Sequence, residues 1–305
     1  MSVVLVHAGA GNQEVPSHGE LVVRAALAGS KVMAEGPEAA AVAAVEVLED
    51  APETNAGTSA SLNLRGEVEM DAALMIPGDF GAVAGVKGIR HPIRLAWAVL
   101  RESSHKLLVG EGATEFARAL DFERYDPKTP SRRADWEQAI LRVKKGRGLG
   151  GEFSTAMRQK ITDHYGLGDT VGALALSDDG FLAAGASTGG IFMKLPGRAG
   201  DCPLPGAGFW CTEEVAIVCT GYGEAFMRTL CARRAEEIHR GGSDLLTALE
   251  EALQELWQKT QGRGGIMALS RSGQKAAVYN SATLPVTAVV GSRVDKKFLP
   301  KPLAG

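Results

Sequence analysis

The sequence predicts an α+β fold, layered as αββα. Three observations lead there. Strand-like and helix-like segments fall into groups rather than alternating one by one, which argues against a strict βαβ chain. The runs VGALAL (residues 171–176) and FLAAGAS (181–187) are apolar at successive positions, so their sheet is covered on both faces. Ser177-Asp178-Asp179-Gly180 between them is a hairpin turn, which makes the pair antiparallel.

The elements follow in order. Val3 to Val6 is a short apolar strand ending in His7-Ala8-Gly9-Ala10-Gly11. Helical patterns cover Glu20 to Met33 and Pro37 to Glu49, the second rich in alanine, the strongest helix former. Strand-like pieces lie at Ser59 to Leu64, Val68 to Ala73 and Gly81 to Val86. His91 to Glu102 reads as an amphipathic helix with Pro92 in its first turn, where proline is tolerated. A strand at Lys106 to Val109 and a helix at Glu111 to Leu120 come next. From about 122 to 169 the chain turns polar, with a basic, glycine-rich run at Lys144 to Gly151, and reads as a flexible linker. Beyond it, strands are expected at Val215 to Cys219, Ile266 to Ser270, Ala276 to Tyr279 and Val286 to Val290, with helices at Glu224 to Arg240 and Ser243 to Lys259.

Composition excludes several classes of function. The 305 residues carry a net charge of -3, against nucleic acid as the main partner. No apolar run approaches the roughly 18 residues of a membrane span. The start MSVVLVHAGAG has neither a basic region nor a long apolar core, so no signal peptide is expected and the cytoplasm is the expected compartment. Cys202, Cys211, Cys219 and Cys231 form no C-x-x-C pair and read as buried thiols.

Some local motifs mislead. Gly9 and Gly11 begin a G-x-G, but Glu14 stands where a dinucleotide site needs glycine. Gly185-Ala186-Ser187-Thr188-Gly189 fits G-x-S-x-G after a strand, yet no helix opens behind it, and His239 is the one histidine downstream. Arg198 and Asp201 offer a choice between a local salt bridge and a grip on a zwitterion, guanidinium on carboxylate and carboxylate on ammonium. Thr220-Gly221-Tyr222-Gly223-Glu224 ends a strand and opens a helix. Thr220 is there either a plain N-cap or part of an oxyanion site.

The motifs gain force together. DTVGA at 169–173, STGG at 187–190, GRAGD at 197–201, PLPGAG at 203–208 and CTGYGE at 219–224 occur in one order. With VHAGAG, TNAG (54–57), VEMDA (68–72), GAVAGVKGIRHPIRLA and KLLVGEGATEFA, they resemble the N-terminal-nucleophile (Ntn) asparaginase family of plant-type asparaginases (isoaspartyl peptidases), glycosylasparaginases and taspases. The resemblance covers nearly the whole chain outside about Phe122 to Leu167.

It implies a four-layer αββα Ntn-hydrolase sandwich, made as a precursor that cuts itself between Asp169 and Thr170. Residues 1–169 would become the α part and 170–305 the β part of one structural domain. Thr170 is implied as nucleophile and, through its freed α-amino group, as base. Thr188 matches the threonine that tunes it. Arg198 resembles the clamp on the substrate α-carboxylate and Asp201 the acceptor of its ammonium. Thr220 and Gly221 resemble the oxyanion hole, Gly223 the same substrate loop, and Asn55 an asparagine near the centre. The backbone of Leu48, Glu49, Ala51, Thr54, Ala56 and Thr58 resembles a loop that holds structural sodium; a loop without metal is the alternative. No other cofactor is implied. The implied substrates are L-asparagine and isoaspartyl dipeptides, and the implied assembly is a homodimer of cleaved units, (αβ)2.

Departures from the family pattern are Ala8 for glycine, Asp169 for glycine, Ala186, Tyr222 and Ile76-Pro77-Gly78. Asp169 is shared with glycosylasparaginases, which makes that activity the alternative. A non-catalytic amino-acid-binding homologue is the alternative outside enzymes.

Overall fold

A computed structural model describes residues 1–145 and 170–303. The basic glycine-rich run beyond Lys145 and the Asp169 side of the expected scissile bond lie outside the described residues.

The first half contains β1 (Val3–His7), α1 (His18–Lys31), α2 (Pro37–Asp50), β2 (Met70–Ile76), β3 (Asp79–Val86), α3 (Pro92–Glu102), β4 (Leu107–Val109), α4 (Gly110–Ala119) and α5 (Pro130–Lys145). The second contains β5 (Val171–Leu176), β6 (Leu182–Thr188), β7 (Phe209–Cys211), β8 (Val215–Gly221), α6 (Gly223–Thr229), α7 (Cys231–Arg240), α8 (Leu245–Thr260), β9 (Gly264–Ser270), β10 (Lys275–Tyr279), β11 (Val286–Val290), β12 (Arg293–Val294) and β13 (Lys301–Pro302). None of these helices is long and apolar enough to cross a membrane.

The strands form two sheets, ordered β12-β11-β1-β5-β6-β2-β3-β4 and β13-β10-β9-β8-β7. The period-two alternation of side chains explains how both faces of the first sheet are filled. On β1, Val4 and Val6 join Leu21, Val22, Ala41 and Val45 of α1 and α2, whereas Val3 and Leu5 point the other way. That other face meets Phe209, Val218, Met267 and Leu269 of the second sheet. The second sheet turns Val215, Ile217, Ile266 and Ala268 outward onto Phe226, Leu249 and Leu253 of α6 and α8. Phe209 and Phe226 are fully buried, each burial contributing about 2–3 kcal/mol. The expected strand doublet closes as β5 and β6, antiparallel with Leu176 opposite Leu182, and Gly180 turns the hairpin at φ +88°.

Three expectations are corrected. Residues 59–64 form a loop, not a strand, because Gly57 and Ser59 sit at positive φ (55° and 70°) and break the extended path. Leu62 keeps a single bridge to Val68. The helix expected over 224–240 is two helices, α6 and α7, broken at Leu230, whose φ of 48° is left-handed. Within the expected linker, residues 130–145 form α5. Trp136, Ala139 and Ile140 lie one helical turn apart and pack on Leu64, Phe192 and Met193. The Trp136 indole N–H also donates to the Asn63 carbonyl, 2.9 Å away. This short apolar stripe is masked in sequence by surrounding charge.

Candidate active site

The register of three strands assembles the first part of the site. Val171 of β5 pairs with Ser187 of β6, so the next step outward sets Thr170 opposite Thr188. Thr188 pairs on its other side with Asp71 of β2. Because Leu174 and Leu176 face the second sheet, the even-numbered Thr170 shares that face. Thr170 and Thr188 are 3% and 2% exposed. Thr188 Oγ1 accepts from the Gly190 N–H at 3.0 Å, which leaves its hydroxyl proton available to donate.

β1 supplies the wall beside Thr170. His7 pairs with Gly172, two residues on from Thr170. Its ring fills the space where a Cβ at 172 would stand 2.4 Å from Nε2, so only glycine fits there. Burial lowers the His7 pKa to about 3, so the ring is neutral, and Nδ1 accepts from the Gly9 N–H at 3.3 Å. Gly9 has a positive φ of 103° and Ala8 does not, so alanine at position 8 brings no backbone strain.

The second sheet adds Thr220 and Gly221 at the end of β8. Thr220 Oγ1 accepts from the Ala10 N–H at 3.1 Å and so keeps its own proton to donate. The φ of Gly221 is 137°, and a Cβ there would meet the Arg263 carbonyl at 2.4 Å.

The turn carrying Arg198 and Asp201 hangs from β2 and the residue before it. Glu69 Oε2 accepts from the Gly197 N–H at 2.9 Å, and Asp71 Oδ2 from the Gly200 N–H at 3.2 Å. Lys194, 5% exposed, donates to the Glu69 carbonyl at 2.7 Å, and burial lowers its pKa. Arg198 pairs with Glu224, not with Asp201, through Nε (3.1 Å) and Nη2 (2.9 Å). The local salt bridge weighed from sequence is therefore not the arrangement found. Asp201 is 3% exposed and its Oδ2 has no hydrogen-bond partner among the described residues. Burial raises its pKa to about 7, although Arg198 nearby pulls the other way. Gly223 keeps open the space between the two charges. A Cβ there would lie 2.7 Å from Asp201 Oδ1 and 2.9 Å from Arg198 Nη2. Asp201 Oδ1 and the Arg198 guanidinium border the same gap, and a carboxylate and a guanidinium so placed suit an amino-acid head group.

Asn55 lies beneath this centre, with both ends of its amide used by backbone. Nδ2 donates to the Gly190 carbonyl at 2.7 Å and Oδ1 accepts from the Ser61 N–H at 2.7 Å. It thereby fixes the STGG turn. Ser187 faces away from Thr170 and donates to Glu49 Oε1 at 2.6 Å, which removes it as a nucleophile for this pocket. Burial raises the Glu49 pKa, and the Ile93 N–H shares the same oxygen at 3.0 Å.

In the 48–58 loop, the Leu48 carbonyl accepts from Thr54 Oγ1 (2.7 Å) and the Ala51 N–H (3.2 Å). The Ala51 carbonyl accepts from Thr54 Oγ1 (3.0 Å) and N–H (3.2 Å). Glu49's carbonyl accepts from the Thr58 N–H at 2.7 Å. Thr54 has a single hydroxyl proton to share between the Leu48 and Ala51 carbonyls. Ala56 lies buried in the same loop.

The sequence pattern does not point to Glu69, Asp71, Lys194 or Glu224. Glu69, Asp71 and Glu224 lie within quoted motifs and Lys194 does not, but contacts made across strands and turns leave no spacing signal.

The family model described as asparaginase matches residues 1–298. The chain is 41% identical over 291 residues to the plant-type L-asparaginase of Pyrococcus abyssi, covering 92% of this chain and 94% of that one. It is 37% identical over 294 residues to the isoaspartyl peptidase of Escherichia coli (92% and 90% covered). Identity to the isoaspartyl peptidase/L-asparaginase of Bos taurus is 36% over 292 residues (93% and 91%).

Proposed function

Since the chain belongs to the asparaginase family, a family of hydrolases, we propose that it cleaves the β-amide of L-asparagine and of β-aspartyl dipeptides. In this reading, Thr170 becomes an N-terminal nucleophile by self-cleavage. Two sheets face to face, with helices outside each, suit the four-layer αββα arrangement we assign to it.

The observation that carries the proposal is a set of strand registers and close approaches that brings these residues together. Thr170 lies opposite Thr188 in register, and Thr188 binds the Gly190 N–H. A Cβ on Gly190 would lie 3.2 Å from Arg198 Nη1. Arg198 and Asp201 meet at Gly223, and two residues before it Gly221 follows Thr220. Thr220 binds the N–H of Ala10, three residues beyond His7, which pairs with Gly172 of β5.

Maturation needs only the chain and water. The Thr170 hydroxyl attacks the Asp169 carbonyl, the C–N bond breaks, and the acyl group moves from nitrogen to oxygen. That shift frees the Thr170 amine, and water then hydrolyses the ester, releasing the Asp169 carboxylate and restoring the Thr170 hydroxyl. The amine's ordinary pKa of roughly 7.7–8.0 suits a base near neutral pH. In turnover, that amine takes the proton from Thr170 Oγ1 as the oxygen attacks the substrate β-carbonyl. Thr220 O–H and the Gly221 N–H stabilise the oxyanion, and Thr188 donates to the nucleophile. The proton passes to the departing ammonia or amine. Water then cleaves the aspartyl ester, releasing L-aspartate and restoring Thr170. No step uses a metal or cofactor.

Intact-mass measurement under denaturing conditions, with ammonia release from L-asparagine and aspartate release from a β-aspartyl dipeptide, tests the proposal. Two fragments divided before Thr170 and both activities are expected. An uncut chain with full activity would sink it.

The pKa of Asp201 adds a pH dependence. Its folded value of about 7 lies above 3.8, so it favours folding below pH 3.8, and that contribution is lost as pH rises through 7. Ammonium binding favours the ionised form and acts in the opposite sense. L-aspartate affinity is expected to fall about tenfold per pH unit below 7, with one proton released on binding. Calorimetry in two buffers of different ionisation enthalpy checks this. Affinity that is flat between pH 5 and 7 would contradict Asp201 as the ammonium acceptor.

A further inference from the structure

We propose that Glu224 is a positioning residue that fixes Arg198 by occupying one edge of its guanidinium while leaving the other edge for the substrate α-carboxylate. The inference rests on the proposed function and assigns a new element of that site.

A guanidinium is a planar fork with two edges able to hold a carboxylate: Nε with one Nη, and the two Nη together. Glu224 takes the first, with Oε1 on Nε at 3.1 Å and Oε2 on Nη2 at 2.9 Å. The second edge is turned to space that three glycines leave open. A Cβ would lie 3.2 Å from Nη1 at Gly190, 2.9 Å from Nη1 at Gly200 and 2.9 Å from Nη2 at Gly223. Asp201 Oδ1 borders the same gap, 2.7 Å from the Cβ position of Gly223. The substrate carboxylate and Glu224 therefore use different N–H groups, and binding need not break the ion pair.

The arrangement also explains how a nearly buried cation is held in place. The Arg198 side chain is only 15% exposed, and Lys194 nearby adds positive charge. Without Glu224, the guanidinium would be free to swing toward Asp201, whose Oδ2 lacks a partner. That contact would close the space needed by the amino-acid head. Glu224 itself stands in the first turn of α6 with its side chain 38% exposed, so its replacement leaves the core intact.

The test compares wild type, Glu224→Ala and Glu224→Gln as purified, cleaved enzymes. Glu224→Ala is expected to raise KM about tenfold, by the same factor for L-asparagine and a β-aspartyl dipeptide, because their heads are identical. The Kd for L-aspartate should rise in parallel while kcat stays within about twofold. Glu224→Gln, which keeps one acceptor, should recover part of the loss. Unchanged or lower KM and Kd in Glu224→Ala would overturn the proposal, the lower value showing that Glu224 competes with substrate. A fall in kcat at constant KM would overturn it as well. A wild type that neither cleaves nor hydrolyses overturns the proposed function instead, and the L-aspartate titration then decides the role of Glu224 alone.

Discussion

Replacing Thr170 with alanine is expected to abolish both chain cleavage and amide hydrolysis, lowering turnover by about 10⁴-fold or more. The two losses share one cause. In the proposed mechanism the hydroxyl that attacks the Asp169 carbonyl is the one that later attacks substrate, and the alanine chain is expected to have no replacement for it among the described residues. Ser187, the nearest hydroxyl in sequence that fits a nucleophile motif, faces α2 and is bound to Glu49. Thr188 has its oxygen held by the Gly190 N–H. Thr170→Ser keeps the hydroxyl but loses the buried methyl group, so it should cleave and turn over more slowly than wild type. Denaturing mass measurement and ammonia release follow both steps. Amidohydrolase activity surviving in Thr170→Ala would remove Thr170 from the mechanism.

The second large effect is expected at Arg198. Arg198→Ala should lower kcat/KM for L-asparagine by about 10²–10³, mostly through KM, because truncating one partner of a part-buried charge pair leaves other charges unmatched. Glu224 loses both of its hydrogen bonds to the guanidinium. Asp201 loses the cation that draws its pKa down, so its value rises further above about 7. The proposed ammonium acceptor would then be neutral at neutral pH, and one substitution would weaken both ends of the grip. Arg198→Lys should restore little, since a point charge cannot serve Glu224 and a substrate carboxylate on two edges. Steady-state kinetics and L-aspartate calorimetry check both variants. A kcat loss with KM unchanged would place Arg198 in the chemical step instead.

Much of this was legible in the chain. VGALAL and FLAAGAS announced a doubly covered sheet because period-two alternation with no polar face leaves no side for water. The glycines at 172, 221 and 223 were visible as motif letters, but their reasons were not. Gly172 makes room for His7, Gly221 holds a positive φ against the Arg263 carbonyl, and Gly223 keeps the gap between Asp201 and Arg198. Elements set by weak local signals were missed. α5 hides a short apolar stripe among charges, the break at Leu230 has no glycine or proline to mark it, and residues 59–64 look apolar enough for a strand.

The sequence by itself determined which residue types line the centre and in what order, because motif chemistry and strand patterning are local properties of the chain. Tertiary structure alone decided which charge meets which. Arg198 finds Glu224 rather than the nearer-numbered Asp201, and Glu69 and Asp71 hold the turn between β2 and Arg198. Such pairings depend on how strands and turns from distant segments come to lie side by side, and burial then sets their cost. An Asp201 carboxylate raised to about 7 is a property of the folded environment that its own neighbours in sequence do not encode.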